Sequence, residues 1–215
     1  MAERGRPRAF DRAQALEQAM LLFWEKGFQG TSMSELTGAM GINAPSLYAA
    51  FGSKEALYRE AMALYEDCDG AELAAAIAAA PTVREAIEMY LMRSAALFSR
   101  PGKPAGCMVV LSVVHAAGTS EEAGRALRDA RAEMQGVLEE RLRAAIGSGE
   151  LPGGDPAAIA AFYCTVQQGM SVRARDGASR AELEAVAQGA MAAWGGLTGT
   201  FAPPHAAAGE LARPA

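Results

Sequence analysis

Apolar residues recur along this chain at intervals of three and four, the spacing that places them on one face of an α-helix. Nowhere does the pattern alternate with the period of two that a strand requires. A first run sets Leu16, Met20, Phe23 and Trp24 on one face, and Gly27 is expected to end it. Two short runs follow, Leu36 with Met40 and Leu47 with Phe51. Ser53 then opens a stripe of Leu57, Ala61, Leu64, Tyr65 and Cys68, which residues 67–70 interrupt before an Ala-rich helical run to Ala80. Beyond Pro81, Thr82 and Glu85 have the spacing of a capping box, and Val83, Ala86, Ile87, Tyr90, Leu91, Leu97 and Phe98 keep helical period. Residues 100–106 read as a loop, and 107–117 as a short helix apolar nearly all round. A long helix, capped by Thr119 with Glu122, turns Leu127, Met134, Leu138, Leu142 and Ala145 inward. Two more follow, one opened by Asp155-Pro156 and one by Ser179 with Glu182. The reading is an all-α protein of about nine helices with short loops.

The two short runs have local chemistry of their own. Ser32 and Glu35 form an S-x-x-E capping box, and Gly41 supplies the positive φ that stops a helix in one residue. Asn43 then caps a second helix with Pro45 in its first turn. Leu47 and Phe51 point inward, which leaves Asn43, Ser46, Tyr48 and Ala49 outward. Helix, glycine turn, helix with small polar residues at its tip is the helix-turn-helix arrangement, whose second helix enters the DNA major groove. The same spacing also fits an ordinary αα-hairpin inside a bundle.

The residue identities go further than the spacing. Gly27-Phe28, Thr31-Ser32-Met33, Gly41-Ile42, Ser46-Leu47-Tyr48, Phe51 and Ser53-Lys54-Glu55-Ala56-Leu57 together resemble the N-terminal domain of TetR-family transcriptional regulators, in register over residues 12–65. The resemblance implies an all-helical homodimer whose N-terminal domains bind operator DNA and whose C-terminal domain binds an inducer. It places Tyr48 and Lys54 where members contact phosphates and Thr31 at another backbone-contacting position. Asn43, Ala44, Ser46 and Ala49 fall where members touch base edges. Ala50 departs from the pattern: many members carry an aromatic residue or His there, and alanine makes no such phosphate contact.

Composition narrows the setting. A chain of 215 residues holds one large or two small domains. Cys68, Cys107 and Cys164 are too few and too scattered for a disulfide framework and fit a reducing cytoplasm. The N-terminus is charged and has no secretory h-region, and the run 107–117 is shorter than the roughly 20 residues a membrane span needs. A net charge of −5 argues against coating nucleic acid over the whole surface. Arg4, Arg6, Arg8 and Arg12 nevertheless crowd the start, so residues 1–10 read as a flexible basic arm that either touches DNA or merely solubilises the chain. From Thr198 onward Pro, Ala and Gly dominate, and 198–215 is expected to be a disordered tail.

The helix-turn-helix unit spans 11–52, and residues 53–197 are left for ligand binding and dimerisation. The last two helices carry more apolar residues than one chain covers, which predicts a four-helix bundle with a second copy, or else a monomer with an unusually apolar core. Tyr65, Tyr90, Phe98, Met108 and Phe162 are candidates to line an apolar cavity, with His115 and Gln167 as polar contacts for an effector; each alone is equally a core residue. Cys107 follows Gly106 at a helix start with Arg100 and Lys103 nearby, a setting that lowers a thiol pKa. A Gly-Cys here also resembles a branch of the family that senses electrophiles or oxidants through cysteine. The alternative is a small buried hydrophobe. Two histidines give no catalytic pairing, Cys and His never cluster at metal-ligand spacing, and no nucleotide fingerprint occurs, so neither enzyme activity nor a cofactor is called for. The sequence therefore points to a ligand-responsive DNA-binding regulator acting as a repressor, with a small-molecule-binding bundle that has no DNA partner as the competing class.

Overall fold

Side-chain caps decide where the helices begin. The computed structural model describes residues 11–114 and 121–200, and every regular element among them is helical. In order these are α1 (Arg12–Gly30), α2 (Met33–Met40), α3 (Ala44–Phe51), α4 (Lys54–Tyr65), a π-helical turn (Glu66–Gly70), α5 (Ala71–Ala79) and α6 (Val83–Phe98). They are followed by α7 (Met108–Val114), α8 (Glu121–Ser148), α9 (Pro156–Arg175), α10 (Arg180–Met191) and α11 (Trp194–Thr198). Asp11, Ser32, Asn43, Ser53, Thr82, Asp155 and Ser179 each accept a first-turn backbone N–H on the side chain. The boxes Ser32–Glu35, Thr82–Glu85 and Ser179–Glu182 all close. Counting α4 with α5, and α10 with α11, as continuous rods gives the nine helices the periodicity predicts.

Two details differ from the sequence reading, at Cys68 and at Thr198, and one expectation falls outside the described residues. Gly27 breaks the regular run of α1, as its place in the pattern predicts. It kinks the helix at φ 71°, ψ 171°, and one more turn tucks Phe28 beneath Phe23, with ring centroids 6.2 Å apart. The stripe of α4 does not reach Cys68, which is exposed. A π turn takes an extra residue per turn, so it rotates the register and the buried face resumes at Leu73 and Ile77. Residues 115–120 lie outside the described residues, and the expected Thr119 cap of the long helix lies there with them. Finally, Thr198 is not the first residue of a tail: it is fully buried and its hydroxyl donates to the Trp194 carbonyl at 2.8 Å.

One apolar core runs through the chain. At the N-terminal end α1 packs on α2 and α4, where the Phe23 ring meets Tyr58 edge-on at 5.0 Å. Leu36, Leu47 and Leu57 are fully buried in this unit, and truncating one to alanine costs about 2–5 kcal/mol. In the larger part, α6 is central, packed against α5, α9 and α10, and α9 also packs on α8.

Candidate nucleic-acid interface and internal cavity

Local chemistry fixes the outward face of α3. Gly41 takes the left-handed conformation (φ 67°), and the Ile42 N–H donates back to the Thr37 carbonyl at 3.1 Å, which closes α2 and reverses the chain. Asn43 Oδ1 accepts the Ser46 N–H at 2.9 Å and starts α3. Leu47 and Phe51 are buried, whereas Asn43, Ala44, Ser46, Tyr48 and Ala49 are exposed, Tyr48 by 50%. Because Asn43 Oδ1 serves the cap, the group it offers outward is its amide NH2. The helix tip presents small polar groups with no bulky side chain in front of them.

Three neighbours of this face are held by contacts that the sequence does not show. Thr31 is fully buried, and its hydroxyl donates to the Gly27 carbonyl at 2.7 Å, so its side chain closes the kink of α1 and does not face solvent. Lys54, the first residue of α4, lays its ammonium over the Phe28 ring at 4.3 Å. Partial desolvation there lowers its pKa, with Glu55 and Glu35 opposing. Arg12 is folded into α1: it pairs with Glu60 at 2.7 Å, lies over the Phe51 ring at 4.4 Å and approaches the Ala50 carbonyl at 3.4 Å. It thus supplies a cation beside the position where alanine replaces the usual aromatic. Arg4, Arg6 and Arg8 lie outside the described residues.

A cavity of about 360 Å³ opens between the π turn and helices α4 to α9. Of the candidates, Tyr65, Tyr90, Phe98, Cys107 and Gln167 line it. Met108 does not: it is 1% exposed and packed into the apolar core. Phe162 is also excluded, being 37% exposed on the outer face of α9 with its ring edge-on to Tyr163. His115 lies outside the described residues. Sequence reasoning missed Cys164, which receives the Tyr90 O–H at 3.8 Å and reads in sequence as one more apolar residue of α9. It also missed Arg131, whose guanidinium donates to the Val109 carbonyl at 3.5 Å; one cation on a long amphipathic helix carries no signal.

Cys107 does not sit in the electropositive setting its neighbours suggest. Arg100 is bound to both carboxylate oxygens of Asp69 at 2.8 Å, and Lys103 reaches Glu17 at 3.4 Å. Burial pushes the Cys107 thiol up, outweighing the Tyr65 hydroxyl and the Val110 and Val109 N–H groups that favour the thiolate. Tyr65 is itself raised by burial and by the thiol. A protonated thiol against a tyrosine hydroxyl is therefore what the cavity offers. Among the described residues, no group of His, Cys, Asp and Glu is placed to hold a metal ion.

A polar-tipped helix held out from a three-helix unit, on a helical body with an internal cavity, defines a helix-turn-helix DNA-binding regulator. The profile described as bacterial regulatory proteins, tetR family, matches residues 15–61, and that of the tetracyclin repressor-like C-terminal domain matches residues 79–190. The chain is 34% identical over 193 residues to the HTH-type transcriptional repressor ComR of Escherichia coli K12, covering 89% of this chain and 92% of that one. It is also 34% identical over 183 residues to the repressor BdcR of the same organism, covering 85% and 88%. Among solved structures, a cysteine mutant of the TetR family transcriptional regulator CifR, complexed with 26-bp double-strand operator DNA, superposes with a TM-score of 0.82 at 44% identity, over 88% of this chain and all of that one. The chain belongs to the TetR family, whose members are transcriptional regulators that bind DNA, not enzymes.

Proposed function

We propose that this chain is a homodimeric transcriptional repressor that a small molecule in the internal cavity releases from a pseudo-palindromic operator. Residues 11–52 form the DNA-binding unit and 53–197 the effector-binding and dimerisation part. The observation that carries the reading is the uncovered face of α3: Asn43, Ala44, Ser46 and Ala49 as the base-edge set, flanked by Tyr48 and Lys54 for phosphates. Repression is the activity for which ComR and BdcR are named. The absence of any helix among the described residues long and apolar enough to cross a membrane agrees with a cytoplasmic regulator.

Dimerisation is supported by apolar side chains left open on adjacent helices: Phe162 and Val172 on α9, and Val186 on α10, each 37–43% exposed. A twofold partner covering this face would place two copies of α3 in successive major grooves. Release follows by linkage: an effector that binds the cavity more tightly when the two copies of α3 no longer match the groove spacing lowers operator affinity by the same factor. Thiol modification at Cys107 is the second reading, favoured by its place in the cavity wall against Tyr65.

A gel shift with the DNA flanking the chain's own gene tests the first reading. A retarded band that unlabelled flanking DNA competes away, and random duplex does not, is the expected outcome. No band at low salt would leave a small-molecule-binding bundle without a DNA partner. Continued release of a Cys107→Ser protein by an electrophile would end the thiol reading.

A further inference from the structure

Trp24 belongs to neither site, yet it is 2% exposed and its indole meets residues at the cavity wall. Its indole N–H donates to the Gly106 carbonyl at 3.2 Å. Its ring stands edge-on to Tyr65, with centroids 4.9 Å apart at 75°. Tyr65 is the partner of the Cys107 thiol, and Gly106 is the residue before Cys107. Both contacts of the indole therefore lead to one point on the cavity wall.

That point has little room to yield. Gly106 has φ 82°, and a Cβ there would lie 2.7 Å from the Ser171 carbonyl oxygen and 2.8 Å from Leu111 Cδ1. The Cys107 N–H donates to Ser171 Oγ at 2.8 Å. Four residues further along α9, Arg175 donates to the carbonyls of Trp24 (2.6 Å) and Glu25 (2.7 Å) and pairs with the Glu25 carboxylate at 3.2 Å. These carbonyls sit just ahead of the Gly27 kink, beyond which α1 leads into the helix-turn-helix. Gly106 is thus packed closely against α9 on one side and hydrogen-bonded to the indole on the other.

We infer that Trp24 is the positioning residue of the DNA-binding unit. Its hydrogen bond to Gly106 and its contact with Tyr65 set the angle at which α1 to α3 leave the body of the protein, and they pass a change at Cys107 on to that angle. The inference rests on the regulator reading above.

An operator duplex selected by the wild-type protein from a random pool, and a duplex carrying one of its half-sites, test the inference. Trp24→Phe keeps the ring and removes the hydrogen bond. It should weaken binding to the full operator by about three- to tenfold, the range one net hydrogen bond spans, and leave the half-site affinity unchanged at a temperature where a circular-dichroism melt, lowered by the truncated indole, shows the variant folded. Arg175→Met, on a partly exposed side chain, should give the same split. Cys107→Leu fills the cavity beside Tyr65 and should also weaken the full operator, while its combination with Trp24→Phe should cost no more than either change alone. Equal losses on operator and half-site, no loss on the operator, or additive losses in the double variant would each overturn the inference. Failure of the regulator reading would appear in the wild type instead, as a protein that does not prefer two half-sites to one.

Discussion

At the scale of single residues the interface divides by chemistry. Lys54 is charged and sits at a helix start, so Lys54→Ala should weaken binding to every duplex and lower the slope of log K against log salt by about one counterion. Tyr48→Ala should weaken binding without changing that slope, because a phenol displaces no counterion. Ser46→Ala should cost affinity only at particular base pairs. Fluorescence anisotropy over a salt series separates the three, and equal slopes for wild type and Lys54→Ala would remove the phosphate role. The thiols separate by burial. Cys107 keeps its proton above the ordinary thiol range, so at neutral pH iodoacetamide should label exposed Cys68 first, and the Cys107 rate should keep rising as pH passes about 8.5. The sign for stability follows: a folded pKa above the unfolded one contributes fully below the unfolded value, and that contribution is lost as pH rises through the folded value. Exposure of α3 residues was legible because Leu47 and Phe51 fix its inward side. Burial of Thr31 was not, since it depends on a kink at Gly27.

At the scale of elements the helix starts carry the prediction. The Glu35 carboxyl is held down to about 2, first by Lys26 at 2.5 Å and then by the Ser32 backbone and hydroxyl. A depressed carboxyl pKa stabilises above the unfolded value, and that contribution is lost as pH falls through the folded one. The Ser32 amide shift should therefore titrate with a midpoint near 2 and report the opening of the α2 box. An ordinary carboxylate midpoint would show that the box is open in solution. Gly106→Ala would need a strained positive φ and a Cβ pressed on backbone oxygen, which together cost about 1–3 kcal/mol or more, measured by chemical denaturation. The boxes at Ser32, Thr82 and Ser179 were readable, because each is a contact within four residues. The interruption at residues 67–70 was readable as well; its form as a π turn from Glu66 was not, since nothing in Glu66–Gly70 alone forbids an α-helix.

For the whole molecule, the open apolar side chains of α9 and α10 set the test. Val172→Asp with Val186→Asp should yield a monomer in sedimentation velocity and reduce operator affinity to that of one half-site, because two linked heads bind at high effective concentration. The fold itself should persist, since both positions are more than 40% exposed in the single chain. A dimer that survives the double change would move the interface elsewhere.

The sequence by itself determined what depends on short-range spacing: nine rods, their caps, the glycine-turned pair of helices and the polar tip of α3. Period and capping act within a few residues, so they are written in the chain. Only the tertiary structure decided which aromatic and sulfur residues meet. Tyr65, Tyr90 and Cys164 come from three different helices and Cys107 from the residue before a fourth, and Phe162 and Met108 share their periodicity but do not line the cavity. The same holds for charge: Arg100 and Lys103 stand near Cys107 in sequence, yet Asp69 and Glu17 claim them. An apolar stripe fixes which side of a helix is buried, but the neighbour it is buried against is chosen by packing across the fold.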